Sequence, residues 1–157
     1  MNIEYVHASK FGNGAIVAED FARRMAARGV AVHVQHIRDA RPDRLPAADL
    51  YVFSAPGRLG RPIGGMRRFL KRLRLPAGTR YALLTTEAAP EPDTEAGATT
   101  EQVVSERQRV RPVMHELLQA AGLVGVAEGH VFVTAMKGPL EDGWQDKVEA
   151  FAARIPI

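Results

Sequence analysis

Cysteine is absent from this 157-residue chain, and that absence removes several chemistries at once. Disulfides, thiolate zinc sites and thiol nucleophiles are all excluded. Five histidines stand at positions 7, 33, 36, 115 and 130, but none forms the helical His-x-x-x-His pair that would suggest a metal site. No nucleophile–base–orienter triad is visible. Long apolar runs are missing too: nothing approaches the roughly 18 uninterrupted apolar residues of a membrane-spanning helix. Residues Met1–His7 show neither the cationic start nor the apolar stretch of a secretory signal, so a cytoplasmic protein is expected.

What remains is ordinary globular material. Hydrophobic residues make up 46% and charged residues 25%, which argues against disorder. The length fits one domain over residues 1–157, enough to bury roughly 68–70% of the unfolded chain's surface. The charge is basic, with 21 Lys and Arg against 18 Asp and Glu, a net +3. It is not evenly spread. Between Leu50 and Thr86 eight Arg or Lys occur with no acid, and between Glu87 and Glu106 six acids occur with no base.

Apolar spacing sorts the chain into alternating elements. Residues 2–8, with Ile3, Tyr5 and Val6, read as a strand. Val17, Phe21 and Met25 have helical spacing, and Gly29 supplies the stop. Val30, Val32 and Val34 alternate with Ala31, His33 and Gln35, a strand with one wetter face that suits a sheet edge. After a connection punctuated by Pro42 and Pro46, Leu50–Phe53 is a continuous apolar run, the mark of a strand covered on both faces. Met66, Phe69, Leu70 and Leu73 form one helix stripe, with Pro62 suited to its first turn.

Tyr81–Thr86 reads as another buried strand and residues 87–100 as a loop. Helical spacing resumes at Val103, Val110, Met114, Leu117, Leu118 and Ala121, where Pro112 is expected to kink or split the helix. Val131–Ala135 is the last strand. Trp144, Val148, Phe151, Ala152 and Ile155 mark the closing helix, with Asp142 as its N-cap. Five strands thus alternate with four helices, except at the short Pro-rich connection. This pattern predicts a doubly wound α/β fold around a parallel sheet, with the second and fifth strands at its edges.

In such a sheet, ligands bind beyond the strand carboxyl ends, where strand order reverses. Three connections therefore matter: residues 8–14, 54–61 and 85–99. The first leads directly into a helix, whose free N–H groups and positive dipole end favour an anion. Gly12 and Gly14 allow close backbone approach, and Ser9 and Asn13 add side-chain hydrogen bonds. The same residues also suit a plain strand-to-helix turn with Asn13 as N-cap, and the pattern alone does not choose between the two.

Taken whole, the chain resembles a short-chain flavodoxin-like protein. The likeness is carried by Ser9-Lys10-Phe11-Gly12-Asn13-Gly14, by Asp49 to Pro56, and by Gly64-Gly65-Met66-Arg67-Arg68-Phe69-Leu70. The resemblance implies a three-layer flavodoxin-like fold with strand order 2-1-3-4-5, and FMN as cofactor. It implies that residues 9–14, Lys10 and Phe11 among them, form the phosphate loop. Ser54, Ala55, Pro56, Gly57, Arg58, Leu59 and Gly60 would line one side of the flavin ring, and Thr85, Thr86 and Glu87 would begin the other. It further implies electron transfer to a redox partner protein or a small-molecule acceptor.

Three features depart from the family pattern. Phe11 and Gly14 stand where Thr or Ser is usual, neither ring-facing loop contains an aromatic residue, and the chain is basic rather than acidic. Two further readings follow from them: a flavin-dependent reductase of a quinone or other small acceptor, anchored by Arg58 or Arg61, and a flavin-free interaction module of the same fold. Nucleic acid is not an expected partner, because the basic stretch lacks interleaved aromatics and no binding module appears. The cations of the second helix, Arg67, Arg68, Lys71, Arg72 and Arg74, read as a solvated face.

Overall fold

The computed structural model describes residues 1–89 and 109–157. Its elements in chain order are β1 (Asn2–His7), α1 (Asn13–Ala27), β2 (Ala31–His36), β3 (Leu50–Ser54), β4 (Gly57–Arg58), β5 (Arg61–Pro62), α2 (Gly64–Lys71), β6 (Arg80–Ala88), α3 (Val110–Ala120), β7 (Val124–Val133) and α4 (Trp144–Arg154). A single 3-10 turn, Ile37–Asp39, follows β2. Five strands form one parallel sheet in the order β2-β1-β3-β6-β7, and β4 and β5 form a separate antiparallel pair. The expected loop over residues 90–100 and the helical position Val103 lie outside the described residues.

Side-chain alternation divides the interior into two cores. Leu50 and Val52 of β3 join Ala82 and Leu84 of β6 beneath α1 and α4, with Ile3, Tyr5, Phe21 and Phe151. Tyr51 and Phe53 of β3 join Tyr81 and Leu83 of β6 on the opposite face, under α2 and α3, with Met66, Leu70 and Met114. Burying each such side chain contributes roughly 1.5–3 kcal/mol. β2 is the wetter edge, and no residue of it is fully buried.

β7 forms the other edge and begins seven residues before the expected Val131. Its first half carries no apolar pattern, because two glycines admit rings from neighbouring elements. A Cβ on Gly125 would stand 3.1 Å from the Tyr81 ring, and one on Gly129 would stand 3.1 Å from Phe151. The outer side of β7 is covered by the chain that follows it. Glu141 takes the Phe132 N–H with its carboxylate and donates its own N–H to the Phe132 carbonyl, and Arg154 donates to the Glu128 carbonyl at 2.7 Å.

Several helix ends differ from expectation. α3 starts at Val110, so Pro112 falls in its first turn, where a missing N–H costs nothing, and the helix has no break to make. Pro62 belongs to β5, and α2 starts two residues later. Gly143 at φ 78° is the N-cap of α4, in place of Asp142.

Phe21 joins α1 to both the sheet and α4, with its ring 5.5 Å from Tyr5 and 5.4 Å from Phe151. Replacing it by Ala in this fully buried position is expected to cost about 3–5 kcal/mol, measured as a lower urea midpoint at unchanged m-value.

Candidate functional site at the carboxyl end of the sheet

β1 ends at His7, and the chain reverses through residues 8–12 into α1. Gly12, at φ 94°, occupies the left-handed region that glycine enters without a Cβ penalty. Its N–H donates to Ser9 Oγ at 3.1 Å. The Ser9 peptide is held on both sides: its N–H donates to His7 Nδ1 at 3.2 Å, and its carbonyl accepts from His36 Nε2 at 2.9 Å. The two imidazoles meet edge to face at 5.1 Å.

Gly12, not Asn13, is the N-cap of α1, and no side chain caps this helix. Asn13 instead packs against Gly138, where a Cβ would stand 2.8 Å from Asn13 Oδ1. The first-turn N–H groups of α1 have no intrahelical partner, and the turn carries no acid. Gly14 is packed over Ser9, with only 3.1 Å between a Cβ there and Ser9 Cβ, so a hydroxyl residue at 14 would crowd the loop. Phe11 lies on the outside of the loop. It is 43% exposed, and the ammonium groups of Lys10 and Lys137 sit 5.5 and 5.8 Å from its ring centre.

In the second connection, Ser54 and Ala55 are buried and tie neighbouring strands together. Ala8 N–H donates to the Ser54 carbonyl at 3.0 Å, and Thr86 N–H to the Ala55 carbonyl at 3.2 Å. Pro56 bridges to Thr86, and the chain then rises as the β4–β5 hairpin. Leu59 and Gly60 form its tip at φ 53° and 75°, both positive, as a two-residue type I′ turn requires. The Leu59 side chain is 95% exposed, and Arg58 and Arg61 face each other across the ladder. The hairpin leans on the start of α3 at both ends: Arg109 N–H donates to the Gly60 carbonyl at the tip, and a Cβ on Gly57 at the base would meet Val110.

Thr85, Thr86 and Glu87 are not in an open loop. β6 continues to Ala88, and all three are buried within it. Glu87 accepts from the Thr85 hydroxyl and from Arg111 Nε, the latter at 2.8 Å, while Arg111 also reaches Glu128 at 3.0 Å. Two residues of the same chemistry could not be found from spacing alone. His36 reads as an edge-strand residue and Arg111 as part of a helix start; the parallel register of β1 and β2 places the first beside His7, and the seating of α3 against β6 places the second over Glu87.

A cavity of about 330 Å³ opens at β7, lined by Arg111, Glu128, His130, Lys147 and Arg154 among others. Its cations already have partners, including Glu128 and Glu141. Burial, followed by the Arg111 charge, holds the His130 imidazole below its ordinary range.

No family model and no curated protein matches the chain. Solved structures do. A flavodoxin from the domain Archaea aligns with a TM-score of 0.71 at 15% identity, over 97% of this chain and 94% of that one. The flavodoxin of Streptococcus pneumoniae aligns at 0.66 and 17% identity, over 98% and 97%. Rubredoxin oxygen:oxidoreductase from Desulfovibrio gigas aligns at 0.69 and 12% identity; this chain is nearly all covered but spans only 35% of that protein. The fold is therefore flavodoxin-like.

Two outcomes are expected from this geometry. Leu59 holds a left-handed conformation that disfavours side chains with a Cβ, so Leu59→Asn, which gives the turn an Asn-Gly pair, should raise unfolding stability by up to about 1 kcal/mol. Burial, then the neighbouring His36 and Arg38, lower His7 to about 4 from an ordinary 6.5. Between those values the unfolded chain binds the proton that the folded chain refuses, so stability should fall as pH drops from about 6.5 to 4. Thermal unfolding of wild type and His7→Asn across that range checks this; the slope should be smaller in the variant.

Proposed function

We propose that this chain binds FMN at the carboxyl end of its sheet and carries electrons between redox partners. The observation that carries the reading is the glycine-hinged connection from β1 to α1. It presents a helix start with no side-chain cap and no acid in its first turn, within a flavodoxin-like fold. A phosphate dianion would find backbone donors and the positive dipole end there. Ser9, Gly12 and Asn13 match the phosphate loop of the family, and Lys10 adds a cation beside it.

When bound, FMN supplies the one- and two-electron chemistry that the side chains of a cysteine-free chain do not. The protein's task is to hold, orient and screen it. Residues Ser54–Gly60 would flank the ring, with Leu59 the bulky apolar side chain available at the hairpin tip. The exposed cations Arg58 and Arg61 favour an acidic partner by long-range attraction. A flavin-free module of the same fold is less well supported. That reading calls for Phe11 to fill the phosphate position, whereas its ring is half-exposed between two lysines.

Titration of the purified protein with FMN, followed by quenching of flavin fluorescence, should saturate in the micromolar range or below. Riboflavin, which lacks the phosphate, should bind more weakly. Ser9→Ala removes a hydroxyl that holds the loop and faces the anion, so FMN affinity should fall about tenfold or more. Lack of FMN binding at micromolar protein, or equal affinity for riboflavin, would sink the proposal.

A further inference from the structure

Ser9 is held in an unusual way. Backbone groups of a strand-to-helix turn commonly meet water or other backbone, but here both backbone polar groups of one residue go to histidine side chains. The Ser9 N–H donates to His7 Nδ1, and the Ser9 carbonyl accepts from His36 Nε2. The second imidazole is itself fixed, because the Arg38 N–H donates to His36 Nδ1 at 3.0 Å.

This pattern sets the protonation of both rings. A nitrogen that accepts a backbone N–H carries no proton, so each Nδ1 is bare and each ring is neutral, with its hydrogen on Nε2. His36 then has a single N–H, and it is the one aimed at Ser9. The parallel pairing of β1 and β2 brings the two rings together, since His7 and His36 share a rung at the carboxyl ends of their strands. Ser9, gripped through its peptide, can present its hydroxyl oxygen to the Gly12 N–H, and that contact fixes the left-handed corner from which α1 departs.

We propose that His7 and His36 are positioning residues of the anion loop, whose imidazoles clamp the Ser9 backbone from either side, and that protonation of His7 releases it. The proposal rests on the FMN reading for its ligand, but the clamp itself is a property of the chain alone. Protonating the His7 Nδ1 turns an acceptor into a donor facing the Ser9 N–H, and that hydrogen bond is lost.

The surroundings oppose the charge as well. His7 faces His36 from β2 and Arg38 from the turn after it; Ser54, its neighbour on β3, and the first turn of α1 bring no acid. Lys10 and Lys137 add positive charge at the loop. The lowering of His7 to about 4 accords with this. An anion in the loop would pull the other way by favouring imidazolium, so the clamp and the ligand charge compete as the pH falls.

Variants separate these contributions from the titration of the FMN phosphate itself. His7→Asn keeps an acceptor near the Nδ1 position and His36→Gln keeps a donor near the Nε2 position, and neither titrates. Affinities for FMN and riboflavin would be measured from pH 8 to pH 4 for wild type, the Asn/Gln double variant and the corresponding double alanine variant. The double alanine variant is expected to bind FMN roughly tenfold more weakly at pH 7.5, with riboflavin affinity changed less than twofold. The Asn/Gln pair should restore most of that loss and show a shallower pH dependence than wild type.

In the flavin-free protein, the Ser9 and Gly12 amide protons should exchange faster as the pH drops toward 4, after correction for intrinsic rates, in wild type but not in the Asn/Gln variant. Equal FMN affinity and equal pH profiles in all three proteins, with unchanged amide protection, would overturn the clamp. If wild type bound no FMN, the FMN reading would fail, and the amide exchange alone would decide whether the clamp exists.

Discussion

A parallel strand buried on both faces must send successive side chains into two separate cores, and β3 and β6 meet that demand at the centre of the sheet. Past Arg80, which opens β6, their alternation places no charged or Ser/Thr side chain until the carboxyl ends, where Ser54, Thr85, Thr86 and Glu87 appear. The chemistry is thereby confined to one rim. The helices follow from the same constraint, because each exposes an apolar stripe only toward the core it covers.

Buried carboxylates of the sheet are met locally through at least one oxygen, although Glu87 Oε1 has no hydrogen-bond partner. Glu87 is held by Thr85 and Arg111, and Glu4, further down β1, is met by His33 and Gln35 of β2. Such pairs add little net stability, since removal from water opposes their attraction, but breaking one leaves an uncompensated charge. They fix register more than they add strength. The Ser9 backbone between two imidazoles belongs to the same economy of local partners.

The central strands and the helix stripes were legible because burial on both faces or on one leaves a period in the sequence. Leu50–Phe53, Tyr81–Thr86 and the stripe Met66–Leu73 are of this kind. The glycine-bearing turn at Ser9–Gly14 was legible as a place where an anion could bind, but its internal wiring was not. Asn13 looked like a cap because its type favours that role, yet contact with Gly138, 125 residues away, takes its side chain elsewhere. The first half of β7 left no period because an edge strand packed against rings needs glycine where a pattern would need valine. The β4–β5 hairpin was hidden for a different reason: Leu at a positive φ is a choice that turn preferences speak against.

The covered flank of β7 has a consequence for how copies of this chain behave together. An open edge offers a row of backbone donors and acceptors to any extended segment that meets it, and a small net charge gives little repulsion to prevent the meeting. Here Glu141 occupies both polar groups of Phe132, and Arg154 occupies the Glu128 carbonyl, so an incoming strand finds part of this edge already taken. The loop and helix that close the fold thus also shorten the stretch of this edge that another strand could pair with, a colloidal consequence of Glu141 and Arg154.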